Sequence, residues 1–149
     1  RAHSTVLMGG PGDLEDVVQA VEEVGRLPLH GLLEILHSPG FVAETDEKAQ
    51  EILWPHYADM FGRIGRERGW PPVTKDRYLN EVHHGALYVG SPETVARKIA
   101  RTVKSLGIQR FDMKYSTGPV PHGDLMDCIR LYGQKVIPMV QDMLADKAA

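Results

Sequence analysis

Three short segments carry the residue types best suited to chemistry, and each closes a β-prone apolar run: Gly9-Gly10, His37-Ser38 and Tyr115. Glycines let backbone amides approach a phosphate, and the N-terminus of a following helix favours its negative charge. Histidine can take up or release a proton near neutral pH, and a serine hydroxyl can donate a hydrogen bond to a phosphate or sugar oxygen. Because these types are also common in turns, a purely structural role is the alternative at each position.

The sequence lacks the motifs of several common catalytic classes. It contains no Gly-x-Ser-x-Gly elbow, no phosphate-binding P-loop, no dinucleotide-binding glycine fingerprint and no HExxH. His83 and His84 are adjacent, so their side chains diverge, and we expect no metal site. Cys128 falls between Leu125 and Tyr132 at helical spacing, which predicts a small buried residue rather than a reactive thiolate.

Composition indicates an ordinary globular protein. The chain has 149 residues, of which 42% are hydrophobic and 25% charged, and we predict a single domain over residues 1–149. The net charge of −3 is spread along the chain, so nothing points to nucleic acid or an anionic membrane. No apolar run approaches the roughly 18 residues of a membrane span. A single cysteine cannot form an internal disulfide. This is compatible with a reducing compartment, and we predict that the protein is cytoplasmic.

The first half of the chain alternates between strand and helix signals. Residues 4–8 predict a strand, residues 14–24 a helix, and residues 32–36 a second strand that ends in a turn at residues 37–40. These segments form a strand–glycine loop–helix–strand unit.

A helical region follows the second strand. A helix starts near Thr45, and Pro55 should break or restart it, because proline has no amide donor and clashes with the preceding turn. A further helix covers about residues 57–68. Residues 73–85 have no clear period and predict a loop with at most one helical turn.

The last part of the chain predicts helix, strand and helix. Ser91-Pro92-Glu93 is a typical helix start, and Gly107 ends that helix. Residues 110–115 alternate between apolar and polar side chains, which predicts a strand. Residues 124–144 predict a final helix that Pro138 should kink. The predicted order is β-α-β-α-α-α-β-α, which favours parallel pairing with right-handed crossovers.

Three motifs resemble the end of the luciferase-like monooxygenase family, the group that contains bacterial luciferase and related flavin- and deazaflavin-dependent enzymes. They are HSPGFVAETDEKA with WPHY shortly after it, GALYVGSPETVA, and LGIQRFD followed by Gly118 and by VIP in the final helix. Each motif alone is moderately specific, and their order and spacing carry the resemblance from residue 37 onward. Gly9-Gly10-Pro11 resembles a glycine loop of the family, although the residues after it depart from the pattern.

The resemblance implies an α/β fold that is part of a (β/α)8 TIM barrel, which needs roughly 250 residues. The chain has material for about three βα units, by analogy the last three, with an inserted helical region between the second and third. We therefore expect either the C-terminal portion of a longer protein, lacking the N-terminal barrel half, or a homo-oligomer. The missing initiator methionine is a weak sign in the same direction.

The resemblance also implies a function and a site. It implies a flavin-dependent monooxygenase that binds FMN, or alternatively the deazaflavin coenzyme F420, and acts on a small-molecule substrate. Barrel enzymes bind ligands at the carboxyl ends of their strands, so we assign cofactor contacts to Gly9, Gly10, Ser38 and Tyr115 and a catalytic role to His37. The alternatives are a deazaflavin-dependent dehydrogenase on the same fold and a non-catalytic half-barrel that serves as an interaction module.

We expect the isolated chain not to behave as a stable monomer, because a three-stranded parallel piece leaves two unpaired edges and uncovered apolar faces. Light-scattering mass on a sizing column, together with a thermal melt, tests this. A clean monomeric mass with a cooperative melt would contradict it.

Overall fold

A computed structural model describes residues 35–145 of the chain. The predicted strand at residues 4–8, the predicted helix at residues 14–24 and the glycines Gly9 and Gly10 lie outside the described residues. The helices and strands below are numbered within the described part.

Three parallel strands form the sheet: β1 (Ile35–Val42), β2 (Tyr88–Gly90) and β3 (Arg110–Lys114). Their order is β2-β1-β3, so β1 is hydrogen-bonded to both others. This confirms the prediction of an α/β chain with parallel pairing. In a (β/α)8 barrel, where consecutive strands are neighbours, β2 would lie between β1 and β3. Here β3 pairs with the first five residues of β1, and β2 pairs with its last three.

The prediction that the strand ends in a turn at residues 37–40 was wrong, because β1 continues to Val42. Pro39 is the last residue of β1 to face β3, and Gly40 is the first to face β2. The missing amide of proline therefore falls where the strand changes neighbours, a position at which a ladder tolerates it. The strand β2 was not predicted, because three residues are too few to show a period.

The first helix, α1 (Asp46–Arg68), begins and ends as its sequence predicts. The Thr45 side chain accepts a hydrogen bond from the Lys48 amide, and Gly69 ends the helix in the left-handed conformation. The break predicted at Pro55 is absent, and the helix runs through it. Pro55 lies between Leu53 and Tyr57, which are both buried, so packing of this face compensates for the lost hydrogen bond.

Residues 73–85, predicted to be a loop, contain the helix α2 (Lys75–His83), which Thr74 caps. A helix this short presents only two apolar core residues, so its period is not visible in the sequence. One of them, Tyr78, is fully buried, and its ring lies 5.2 Å from that of Trp54 and 5.1 Å from that of Tyr57. Tertiary contact with α1 therefore stabilises α2.

The helix α3 (Pro92–Leu106) confirms the predicted start and end. Ser91 caps its first turn, and Gly107 ends it in the left-handed conformation. The buried side chains of Val95 and Ile99 belong to the main hydrophobic core, together with residues of β1 and β2.

The last helical stretch consists of α4 (His122–Leu131), a π-helical turn (Tyr132–Val136) and α5 (Ile137–Ala145). The Ile137 amide donates to the Tyr132 carbonyl, five residues back. Pro138 follows at once and has no amide to continue the α-helical pattern, so the irregularity predicted at this proline takes the form of a π turn before it.

Cys128 on α4 is fully buried, as predicted, and its Sγ accepts a hydrogen bond of 3.2 Å from the Val42 amide at the end of β1. Burial raises the pKa of the thiol, and the Val42 hydrogen bond opposes this only in part. A thiol with a raised pKa is a poor nucleophile, which agrees with a packing role.

A buried lysine joins α3 to the segment before β2. The Lys98 side chain is 9% exposed, and its ammonium donates to the carbonyl oxygens of Val82 and Leu87 at 2.9 and 2.7 Å. It also lies 5.0 Å from the centre of the Tyr88 ring. Burial, and to a smaller extent the positive charge of Arg101, lower the pKa of Lys98 from 10.5 to about 8, although the charge of Glu81 opposes both.

The free energy of unfolding should depend on pH through Lys98. Between about pH 8 and its ordinary pKa of 10.5, the unfolded chain keeps a proton that the folded chain has released, so stability rises with pH. We expect Lys98→Met to remove a gain of about 1–2 kcal/mol between about pH 8 and pH 9.5. Urea unfolding at several pH values measures this.

Lys75→Met is the matched control, because Lys75 is exposed at the start of α2. It should keep the rise of stability with pH. If Lys98→Met and Lys75→Met had the same pH dependence, Lys98 would not be the group that titrates.

Candidate functional site

One cluster of charged side chains lies on an exposed part of the sheet, where β1 pairs with β3. The register pairs His37 of β1 with Asp112 of β3. The His37 Nδ1 atom lies 3.4 Å from the Asp112 Oδ2 atom, and Asp112 Oδ1 accepts a hydrogen bond of 2.7 Å from Arg110 Nε. The His37 side chain is 71% exposed and that of Asp112 30%. We call His37, Arg110 and Asp112 the open-face cluster.

The electrostatics of the open-face cluster favour an ionised Asp112. The hydrogen bond from Arg110 lowers the pKa of the carboxyl most, burial opposes it, and the charges of Arg110 and His37 lower the pKa further. An ionised carboxylate beside Nδ1 favours the tautomer with its proton on that nitrogen. The Nε2 atom of His37 is then left for a hydrogen bond with a ligand.

The structure does not bring the predicted site residues His37 and Ser38 together. We expected both on a loop after a strand, and this placement was wrong because both lie inside β1, whose carboxyl end is Val42. Successive side chains of a strand point to opposite faces. Ser38 is accordingly 5% exposed, and its hydroxyl donates to the Ala86 carbonyl at 2.6 Å. Its one donor therefore joins β1 to the segment before β2.

Tyr115 directly follows β3 and is 39% exposed, so it lies at the carboxyl end of a strand as expected. The segment after it is held against α1. The Thr117 amide donates to the Tyr115 carbonyl at 3.1 Å, and Thr117 is buried. Gly118 has a φ of 76°, and a side chain there would collide with the His56 carbonyl. The backbone around Tyr115 is therefore constrained.

A second polar cluster, which the sequence did not predict, centres on Asp46, which joins the first turns of α1 and α3. Its carboxylate accepts a hydrogen bond of 2.6 Å from the Ser91 amide and one of 3.0 Å from the Thr94 hydroxyl. Burial alone would raise the pKa of Asp46, but these hydrogen bonds outweigh it and the pKa is lowered. The sequence offered one signal for this cluster, the predicted helix start at Ser91. The first amides of a helix have no partner within the helix, so they need an acceptor from elsewhere.

Within residues 35–145, no group of three or more histidine, cysteine, aspartate or glutamate side chains could hold a metal ion. In the same part of the chain, no helix is both long and apolar enough to cross a membrane.

Comparison with known proteins finds likeness in solved structures only. No family model matches the chain, and no curated protein matches it. One similar structure is the oxygenating constituent of 3,6-diketocamphane monooxygenase from Pseudomonas putida, a Type II Baeyer-Villiger monooxygenase in complex with FMN. It has 17% sequence identity and a TM-score of 0.53, and the match covers 70% of this chain and 33% of that one. Monooxygenase RslO1 from Streptomyces bottropensis has 17% identity and a TM-score of 0.61, over 83% of this chain and 38% of that one.

The chain spans about a third of the length of these two proteins. At such low identity the likeness concerns the fold alone. The described residues therefore have an α/β fold that corresponds to part of these monooxygenases.

Proposed function

We propose that the chain is the C-terminal part of a flavin-dependent oxidoreductase of the luciferase-like family, acting on a small molecule. The observation that carries this proposal is the fold likeness to two monooxygenases, one of them solved with FMN. The three motifs that resemble the family occur in the same part of the chain and are an independent argument for it.

The open face of the sheet fits the interior of a barrel. In a (β/α)8 barrel, one face of the strands packs against helices and the other lines the interior. Ser38 is buried on one face, whereas Ile35 and His37 on the other face are exposed. The rest of the proposed barrel would cover this face. In that barrel β3 would no longer pair with β1. It would pair with β2 on one side and with the first strand of the barrel on the other.

Two of the predicted cofactor and substrate contacts have polar atoms available for a ligand. Within residues 35–145, neither the Nε2 atom of His37 nor the hydroxyl of Tyr115 has a hydrogen-bond partner. The Ser38 donor is already committed to Ala86, so Ser38 fits only as an acceptor. Gly9 and Gly10 remain predicted phosphate contacts outside the described residues.

Bound FMN would supply the redox chemistry, and the chain's own residues would bind and orient. In this proposal, His37 contacts the flavin and exchanges a proton with the substrate or the flavin at Nε2, while Asp112 holds the ring by its charge at Nδ1. Tyr115 would contact the cofactor at the carboxyl end of β3.

The experiment that tests the function uses the complete reading frame that contains this sequence. The purified protein is incubated with FMN or with the deazaflavin coenzyme and passed over a sizing column, with light scattering and absorbance at flavin wavelengths. We expect about one FMN per chain. Co-elution of the deazaflavin alone would select the dehydrogenase alternative, and binding of neither would support the non-catalytic module.

We expect His37→Ala in the complete protein to weaken FMN binding by about tenfold, which corresponds to the loss of one good hydrogen bond. Asp112→Asn should have a smaller effect, because it leaves the imidazole in place. Quenching of flavin fluorescence measures the affinity. His122→Ala is the matched control, since His122 is exposed at the start of α4. An equal loss of FMN affinity in His37→Ala and His122→Ala would exclude His37 from the site.

A further inference from the structure

A second cavity lies among the helices, where α3 faces α1, the end of α2 and β2. Its volume is about 430 Å³, and its walls share no residue with the open-face cluster. This volume is in the range of small-molecule sites, roughly 300–1,000 Å³.

Positive charge dominates the wall that α3 contributes. Arg97 and Arg101 lie one turn apart and are exposed, and Lys98 lies between them. Among residues 35–145, neither guanidinium group has a hydrogen bond or an ion pair. Two arginines with this spacing can bind one oxyanion from both sides.

One carboxylate, that of Asp46, belongs to the cavity wall, and it does not neutralise the arginines through a direct ion pair. Its two oxygens accept hydrogen bonds from the Ser91 amide and the Thr94 hydroxyl. The three cationic side chains and this carboxylate leave a surplus of two positive charges in the wall.

The remaining wall is largely apolar. Val82 of α2, Val89 of β2 and Val95 of α3 line it, and all three are buried core residues. Little of these valines is exposed, so most of the accessible apolar surface of the wall comes from the aliphatic carbons of its longer side chains. An apolar group attached to an anion would cover that surface, which an inorganic anion alone would leave against water.

We propose that this cavity binds a small organic anion whose phosphate or carboxylate head lies between Arg97 and Arg101 and whose apolar body packs on the apolar part of the wall. This site would be separate from the proposed flavin site. Its ligand would be a second small molecule, either a substrate that the cavity delivers or an effector.

Isothermal titration of the flavin-free protein with phenyl phosphate tests the proposal. We expect saturable binding with one site per chain, weakened about tenfold by Arg97→Gln and by Arg101→Gln. Phenol, which lacks the charge, should not bind at the same concentrations, and inorganic phosphate should bind at least about fivefold more weakly because it lacks the apolar body. Benzoate in parallel distinguishes a carboxylate head from a phosphate head.

Arg63→Gln is the matched control, because Arg63 is an exposed arginine on α1 away from the cavity. It should leave the affinity unchanged. Absence of saturable binding for both phenyl phosphate and benzoate, equal losses in Arg63→Gln and Arg97→Gln, or inorganic phosphate binding as tightly as phenyl phosphate would each overturn the proposal. Because no flavin is present in the titration, failure here leaves the proposed oxidoreductase function untouched.

Discussion

The sheet depends on the absence of a side chain at Gly40, the residue at which β1 passes from pairing with β3 to pairing with β2. A Cβ atom there would lie 2.6 Å from both the Met113 Sδ and the Tyr88 carbonyl oxygen. The residue before it, Pro39, has no amide to donate. Together they let one strand hydrogen-bond to two neighbours along different halves of its length, and the helices pack around that arrangement.

Buried polar groups join the helices to this sheet, and each has a partner. The Lys98 ammonium binds the Val82 and Leu87 carbonyls, Ser38 binds Ala86, and Asp46 binds the first turn of α3. Among the described residues, no buried side-chain nitrogen or oxygen lacks a hydrogen bond. Since leaving one of these groups unpaired would cost stability, they fix the segment before β2 and the start of α3 in place.

The same arrangement separates the two proposed sites. The open-face cluster lies where β1 pairs with β3, and its His37 is exposed to solvent. The cavity lined by Arg97, Lys98 and Arg101 lies among the helices. In the proposed oxidoreductase, the open-face cluster would line the barrel interior, and the cavity among the helices would bind its ligand independently.

The sequence by itself determined the helix ends of this protein, because caps are local. Thr45, Ser91 and Gly107 act on amides and carbonyls a few residues away. Tertiary structure alone decided that Pro55 lies inside a helix and that residues 37–40 are strand, since buried neighbours overrode the local preference. It also decided the candidate site: His37 and Asp112 are far apart in the chain and meet only through the register of β1 and β3, which no local pattern encodes.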